Sequence, residues 1–541
     1  MRRKIVVVDC ETDPFLAYRV PRPFVWGYFD GDTYRQFPPT PRKDYTKITD
    51  EFVSFLSEQP AVCYAHNGGK FDWHFLLPYV NPYDEMMIIN GRIARMMIGL
   101  CECRDSFNIL PVPLGAYKKD QIDYGLMEES ERMKVRNWRK ISDYLKSDCV
   151  YLWELVTKFI TTYGLQLTQA GAAMHQWKKV SNTPLPRTDE RFHDLFYPYY
   201  YGGRVECFRS GIINGYYGVY DINSAYPYAM LHKHPYSKEY HHADSYVPHA
   251  DFYKVRCVSA GAFPFRGVGG ESDKNFGLHF PDDKVEREYT VTGWEYRAAV
   301  NTASIKNVKV LESYTFTEHV TFKDYVNHFY ALRLEAKRRG DDAQSLFAKL
   351  LMNSLYGKFA SDPATYRNHM VVPMDVIAGL AKLGWTFAGE FGPWALAEGP
   401  LTDEQKRYYN VATAASITGF VRAMLWEAVA TSRDVLYCDT DSMVCRKIGA
   451  GVTLGENLGE WKHEGQYDRI GIGGKKLYVF RSRPDANGKR HYKTASKGAR
   501  LTVPDLWKIA RGGSVDFVPD VPTFSPRKAP VFTVRHIKNT A

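Results

Sequence analysis

The 541 residues predict a multidomain chain of mixed α/β and α+β class, and three observations carry that expectation. The chain is several times longer than a common domain of roughly 150 residues, enough for several cores. Near the start, apolar runs of strand length are followed by a long stretch of helical period, the α/β pattern. Later, a helical hairpin and a strand hairpin stand as separate units, the α+β pattern.

Taken in order, residues 5–8 read as a buried strand, 61–65 as another, and 138–163 as a helix by period. The polar, Pro-containing stretch 182–187 reads as a linker, followed by Tyr-rich sequence, Gly202-Gly203 and a strand-like run at 218–221. Residues 324–339 and 342–359 flank Gly340-Asp341, which predicts an antiparallel helical pair. Residues 435–438 and 442–445 are strand-like around a tight Asp439-Thr440-Asp441 turn. The C-terminal segment is basic and Pro-interrupted, ending in an alternating strand over 531–537.

Lys plus Arg number 71 against 61 Asp plus Glu, a surplus that favours a polyanionic partner such as nucleic acid. Apolar residues at 45% and charged residues at 24% exclude a disordered or collagen-like chain. An aromatic share of 15%, with 38 Tyr, offers stacking surfaces for bases or sugars as well as core. No run approaches the roughly eighteen apolar residues of a bilayer span. The first apolar run ends at once in Asp9 and Glu11, which a secretory leader would not carry, so a cytosolic chain without membrane attachment is expected. The nine Cys include no C-x-x-C, and Cys101 and Cys103 suit neither a zinc knuckle nor a redox pair; reduced thiols and no structural zinc are expected. Gly471 to Lys476 lacks the spacing of a P-loop, so no ATPase is expected.

Two sets of acids carry the chemistry. In the first, Asp9 and Glu11 end the buried run, and the strand period of two turns both carboxylates to one side. Asp72 follows a glycine turn in Asn67-Gly68-Gly69-Lys70-Phe71-Asp72, and Tyr144 and Asp148 lie four apart on one helical face. Singly, each also fits an ordinary solvated group. In that order and placement, four carboxylates from three segments can hold two divalent cations about 4 Å apart, an arrangement that activates water for phosphodiester hydrolysis.

In the second set, Asp221 ends a strand-like run in Val219-Tyr220-Asp221-Ile222-Asn223-Ser224-Ala225-Tyr226-Pro227, and Asp439 and Asp441 sit in Tyr437-Cys438-Asp439-Thr440-Asp441-Ser442. Three acids gathered together need cations to neutralise them, although a D-x-D turn alone is as readily a solvated Asx-turn. Between them Lys349, Asn353 and Tyr356 fall on one helical stripe, polar where a core stripe would be apolar, while Leu350, Leu351, Leu355 and Phe359 form a separate face to bury. The Lys can hold a triphosphate as a point charge, Tyr356 can stack on an incoming base pair, and Gly357 leaves room for close approach. A solvent-facing stripe is the plainer alternative.

These motifs, in this order and over nearly the whole chain, resemble a family-B DNA polymerase with a proofreading exonuclease. The likeness is to the small protein-primed branch found in bacteriophages, and most of all to its tectiviral type. Asp9, Glu11, Asp72 and Asp148, with Tyr144, match the three exonuclease motifs; the Asp221 segment matches the first polymerase motif, with Ala225 for the usual Leu. K-x-x-x-N-S-x-Y-G at 349–357 matches the fingers motif, 437–442 the Y-x-D-T-D-S motif, and Lys476-Leu477-Tyr478 the K-x-Y motif near the primer end.

The resemblance implies an RNase H-like exonuclease domain at 1–168 and a right-hand polymerase. Palm would occupy 169–232 and 410–495, fingers 323–360 and thumb 496–541. Two inserted subdomains would dock the terminal protein at 233–322 and form a β-hairpin at 361–409 that narrows the channel for strand displacement and processivity. The 128 residues from Asp221 to Lys349 and the 90 from Lys349 to Asp439 leave room for both, and Gly384, Gly389, Gly392 and Pro393 amid aromatics suit a protruding hairpin.

It implies further that Tyr200, Gly202 and Gly203 touch the template, and that Thr12, Asn67, Phe71 and Ser106 line the single-strand channel, with Phe107 where the branch often has Leu. Lys119 would support exonuclease chemistry and Lys337 would be a second triphosphate contact. Thr418 and Arg422, in a T-x-x-A-R motif with Val421 for Ala, would contact the duplex, and Lys476 and Tyr478 the primer end. Two Mg²⁺ ions are implied at each centre, with Mn²⁺ able to substitute: at Asp9, Glu11, Asp72 and Asp148 in one, and at Asp221, Ile222, Asp439 and Asp441 in the other. A 3′ hydroxyl, or a protein hydroxyl at initiation, would attack the α-phosphate of a dNTP. Tyr226 would pack under the sugar and exclude a 2′ hydroxyl. Template, primer, dNTPs and a terminal protein are the implied partners of a monomeric enzyme in a host cytoplasm. A nuclease that only grips DNA with its second half, and a non-catalytic nucleic-acid binder, remain as other readings; primer extension and Mg²⁺ dependence separate them.

Overall fold

The computed structural model describes residues 3–540, other than 182, 185–186, 269–270, 273–276 and 392–393. Much of the linker at 182–187 and the Gly392-Pro393 pair therefore lie outside the described residues. Two large sheets organise the rest.

The first sheet has ten strands around a parallel centre, in which Lys4–Thr12 pairs with Ala61–Ala65 and that strand with Cys101–Asp105. The run at 5–8 forms the central strand because both of its faces are covered. Val6, Val8 and Cys10 pack with residues of the helix Tyr45–Ser57, and Val7 with residues of the helix Val135–Tyr163. Asp9 and Glu11 therefore fall on the side of the long helix. That helix approaches closely at Gly27, where a Cβ would lie 3.0 Å from Cys149 Sγ.

The segment 361–409 does not stand apart from this sheet. Asn368–Pro373 pairs with Glu85–Ile89, and Trp394–Gly399 and Thr386–Phe391 follow, so the hairpin strands complete the edge of the N-terminal sheet. A register that sets His369 opposite Met86 joins pieces far apart in the chain.

The second sheet is antiparallel, in the order Tyr492–Ser496, Leu477–Ser482, Trp461–Gly474, Gly211–Ile222, Ser442–Lys447, Arg433–Asp439, Val205–Cys207. Gly211–Ile222 is central, with Asp221 opposite Ser442 on one side and Lys462 on the other. The helical pair forms as Lys323–Arg338 and Asp342–Phe359, the second capped by the Asp341 carboxylate, which accepts from Gln344 N. Within 233–322 a four-stranded sheet carries the helix Gly293–Asn301, whose capping box joins Thr292 and Glu295. Helix Val411–Thr431 is apolar almost all round and is buried against Gly293–Asn301 and Asp342–Phe359.

Two sequence expectations need correction or addition. The strand expected over 531–537 is broken: Lys528–Val531 returns on Thr523–Ser525, Arg535–Lys538 pairs with Ser514–Phe517, and 532–534 join neither. Val534 is half exposed; an alternating pattern becomes a strand only where a partner and a core face exist. The nine thiols are free, but Cys63, Cys101 and Cys103 bring their Sγ atoms within 4.8 Å of one another in the core, a gathering that linear spacing does not reveal. Among the described residues, no helix is long and apolar enough to cross a membrane.

Candidate active sites

The central strand and the long helix bring together oxygens of Asp9, Glu11 and Asp148, all within 4.8 Å of one another. Asp72 begins the short helix Asp72–Leu76 and is itself buried. Burial, then repulsion from Asp72 and Glu11, holds Asp9 well above the ordinary carboxylate range. Burial and Asp148 push Glu11 up to about 8, and burial pushes Asp72 up to about 7. Lys119 answers part of this charge, its Nζ 3.4 Å from Asp148 Oδ2 and 5.5 Å from the centre of the Tyr144 ring. Asp72 Oδ1 and Asp148 Oδ1 are buried without a hydrogen-bond partner. Clustered, orphaned carboxylate oxygens are the donor set of hard divalent cations, and these residues fit Mg²⁺.

Of the residues expected along a single-strand channel, Phe71 and Asn67 are partly exposed and two are interior. The Phe71 ring meets Phe15, Phe75 and Phe524 edge-on, at 5.7, 5.2 and 5.6 Å between centroids. Asn67, at φ +65°, accepts a hydrogen bond from Arg92, which also pairs with Asp105. Ser106 is fully buried, its hydroxyl shared between Ala65 O at 3.2 Å and His66 Nδ1 at 3.0 Å. Thr12 is buried with its hydroxyl on Asp13 O. Both hydroxyls thus already donate within the protein.

The second centre opens into a cavity of about 510 Å³ lined by Asp221, Ile222, Asp441, Lys337, Lys349 and Asn353, all named from the sequence. Strand ends supply the acids and the helical pair supplies the cations. Burial and the neighbouring Asp441 push Asp221 up to about 7; burial pushes Asp441 up to about 6. These two acids, with the Ile222 backbone beside them, also fit divalent cations. Asp439 is differently placed: both of its oxygens lie 2.8 Å from Lys476 Nζ, and the Tyr437 hydroxyl donates to it at 3.3 Å. Tyr478 stacks on Phe480 at 4.3 Å. Tyr226 and Tyr356 stack on each other, with Gly357 exposed beside them. Asn353 Nδ2 donates to Lys349 O at 2.8 Å, which orients its amide along the helix.

Two functional candidates, Arg333 and Glu464, have no place in the sequence reading. Arg333 lines the cavity four residues before Lys337, so the helical period of that cation could have found it. Glu464 lies close enough to raise the pKa of Asp221 and is ion-paired to Lys493. Glu464 sits at a register shift in its strand, between His463 and Gly465, which no motif announces.

Thr418 and Arg422 are not at a DNA-facing surface. Both lie on the buried helix Val411–Thr431 and are 2% exposed, which corrects their expected duplex contact. Arg422 Nε donates to Glu295 at 2.7 Å, and Nη1 donates to the carbonyls of Tyr201 and Gly202 at 2.5 and 3.0 Å. It holds the loop Tyr200-Tyr201-Gly202-Gly203 from within. Gly202 itself is exposed, whereas Gly203 faces Thr440.

Two acid centres in separate domains, one beneath a cation-bearing helical pair, are the plan of a right-hand nucleic-acid polymerase. Residues 112–382 match the family described as DNA polymerase type B, organellar and viral. The chain is 36% identical over 577 aligned residues to the DNA-directed DNA polymerase of Enterobacteria phage PRD1, covering 99% of this chain and 98% of that one. It belongs to the viral type B DNA polymerases and is a DNA-directed DNA polymerase of phage type. Over its full length the fold is that of phi29 DNA polymerase. It superposes on the orthorhombic crystal form with a TM-score of 0.74 at 18% identity, covering 99% of this chain and all of that one. On the complex with primer-template DNA and incoming nucleotides the TM-score is 0.72 at 19% identity, with both chains fully covered.

Proposed function

We propose that this polymerase replicates a linear genome from a terminal-protein primer, edits its product 3′ to 5′ at a second site, and displaces the strand ahead of it. The observation that carries the reading is the double gathering of half-buried and buried acids, Asp9, Glu11 and Asp148 between the central strand and the long helix, and Asp221 and Asp441 at strand ends of the second sheet. Such clusters are unstable without cations. Asp9, Glu11, Asp72 and Asp148 would hold Mg²⁺ in the editing site; Asp221, Asp441 and Ile222, with Asp439 beside them, would hold it in the synthetic one. When bound, the ions neutralise phosphate charge and activate the attacking oxygen.

The chain's own groups do the rest. Lys349, Lys337 and Arg333 face the cavity where a triphosphate would lie, and Asn353 sets one of its walls. The Tyr226–Tyr356 stack forms a flat floor for sugar and base. Lys476 pairs with Asp439 and holds it in place. Lys119 and Tyr144 flank Asp148, placed to orient water at the editing site. The phi29 structures that share this fold hold primer-template DNA and incoming nucleotides, which supports the same ligands here. Support for strand displacement comes from the 361–409 hairpin, whose Glu398 is ion-paired to Arg527 of the C-terminal segment, so that the two arms meet.

The test is to incubate the enzyme with its candidate terminal protein, labelled dNTP and linear template ends. Label attached covalently to protein is the expected result; extension of oligonucleotides alone would refute protein priming. An Asp9→Ala, Glu11→Ala enzyme should still extend a primed template while losing 3′ degradation.

A further inference from the structure

The turn that carries Asp439 and Asp441 is strained. Asp441 N–H donates to Asp439 O at 2.7 Å, which closes a three-residue turn whose central residue, Thr440, stands at φ +61°. A β-branched residue is an outlier in that region, and such conformations persist only where the surroundings over-determine them. The surroundings here are Gly203 and Arg204. A Cβ on Gly203 would lie 2.8 Å from Thr440 Cγ2, so only Gly lets the chain pass so close. The next residue supplies the restraint: Thr440 N–H donates to Arg204 O at 2.6 Å.

The Arg204 side chain is 1% exposed. Its guanidinium lies between two rings, 4.1 Å from the centre of Phe280 and 4.3 Å from that of Trp426, and its charge is answered by Glu206. Trp426 belongs to the buried helix and is held in turn, its Nε1 donating to Thr302 and Ser304 hydroxyls at 3.2 Å. Arg204 is thus a fixed post whose backbone grips the strained turn and whose side chain is locked by the 233–322 segment and the helix Val411–Thr431.

We propose that Arg204 is a positioning residue of the polymerase reaction: clamped between Phe280 and Trp426, it fixes the carbonyl that holds Thr440 and thereby the separation of Asp439 and Asp441. Lysine would not serve, because only a planar guanidinium can stack on two rings while paired to a carboxylate. The consequence falls on cation binding and turnover rather than on DNA affinity, since Arg204 is out of reach of any strand.

The inference rests on the metal-dependent reading above, and one experiment separates the two. Single-nucleotide incorporation on a primed template is measured for the full chain and for Arg204→Lys, Arg204→Met and Phe280→Leu, across a Mg²⁺ titration. Primer-template affinity and degradation of single-stranded DNA are followed in parallel. Both Arg204 variants should lose about tenfold or more in kcat and need correspondingly more Mg²⁺, as when partners behind a metal ligand are removed. The KM for dNTP, DNA affinity and degradation should stay within about twofold. Phe280→Leu, which removes one face of the clamp, should move part of the way in the same direction. A wild-type Mg²⁺ requirement and kcat in Arg204→Met would overturn the proposal, as would a loss confined to DNA affinity. If Arg204→Met also loses degradation and fails to fold, Phe280→Leu decides: an unchanged Mg²⁺ requirement there overturns it. Wild-type extension that needs no divalent cation would overturn the metal-dependent reading itself, and this inference with it.

Discussion

The phenol rings of Tyr226 and Tyr356 lie face to face, their centroids 4.4 Å apart and their planes 6° from parallel. One comes from the short helix that follows Asp221, the other from the helical pair 130 residues on. The stack ties the short helix to the helical pair near Asp441, so the residue proposed to sense the sugar is held by the one proposed to meet the base.

Replacing Tyr226 by Ala removes that stack. The lost aromatic pair costs about 0.5–1.5 kcal/mol beyond buried area, and ribonucleotide incorporation should rise relative to deoxyribonucleotide. Tyr226→Phe keeps the ring and should keep the discrimination. Competition between dNTP and NTP on one template measures both; unchanged selectivity in the Ala variant would remove Tyr226 from the sugar-sensing role.

The two acid centres should fail independently. Asp441→Ala should lower extension by at least about 10²-fold, on the scale of losing one group that stabilises transition-state charge, and leave 3′ degradation intact. Asp148→Ala should do the reverse. Primer-extension and single-strand degradation gels on the same preparations read this directly, and joint loss in either variant would contradict separate sites.

Arg422 and Glu295 are each essentially buried and bonded to one another. Arg422→Ala leaves an unpaired buried carboxylate and should cost about 3–5 kcal/mol of stability, read by urea unfolding. Replacing both residues by Leu should recover most of it. The salt dependence of DNA binding should not change in the double variant, since Arg422 meets no phosphate.

Arg333→Ala removes a cation from the nucleotide cavity. A charge-assisted contact is worth about 1.5–3 kcal/mol, so the KM for dNTP should rise roughly tenfold or more while primer-template affinity holds. Steady-state incorporation kinetics check it, and an unchanged KM would leave Arg333 with a structural part only.

Binding of primed DNA should weaken steeply as salt rises, because neutralising phosphates releases counterions. A filter-binding series over ionic strength gives the slope. A flat dependence would contradict the use of the surplus of Lys and Arg, 71 against 61 acids, in gripping DNA.

The extent to which sequence disclosed the molecule follows the range of the interaction concerned. That Asp9 and Glu11 turn to one common side is legible because it depends on a strand period only; that this side faces the long helix is set by packing. The helical pair was legible because Gly340-Asp341 interrupts two amphipathic patterns, and the structure caps the second helix with Asp341. The spacing of Arg333, one turn before Lys337, is legible in the sequence, but that both face the nucleotide cavity is set by packing. Thr418 and Arg422 sit in a motif that suggests a DNA surface; the apolar residues around them, from Val411 to Val429, are the stronger physical signal that this helix is buried on almost all faces.

From its sequence alone, then, this chain could be placed as a mixed α/β and α+β viral type B polymerase, because its motifs are short and their spacing survives unfolding. Only the tertiary structure decided that strands of 361–409 finish the N-terminal sheet, that three thiols meet in its core, that Ser106 and Arg422 face inward, and that Arg204 stands behind the strained Thr440 turn. Each of these depends on which face of one element is covered by another far along the chain. Burial of that kind is a property of the packed whole and leaves no local pattern to read.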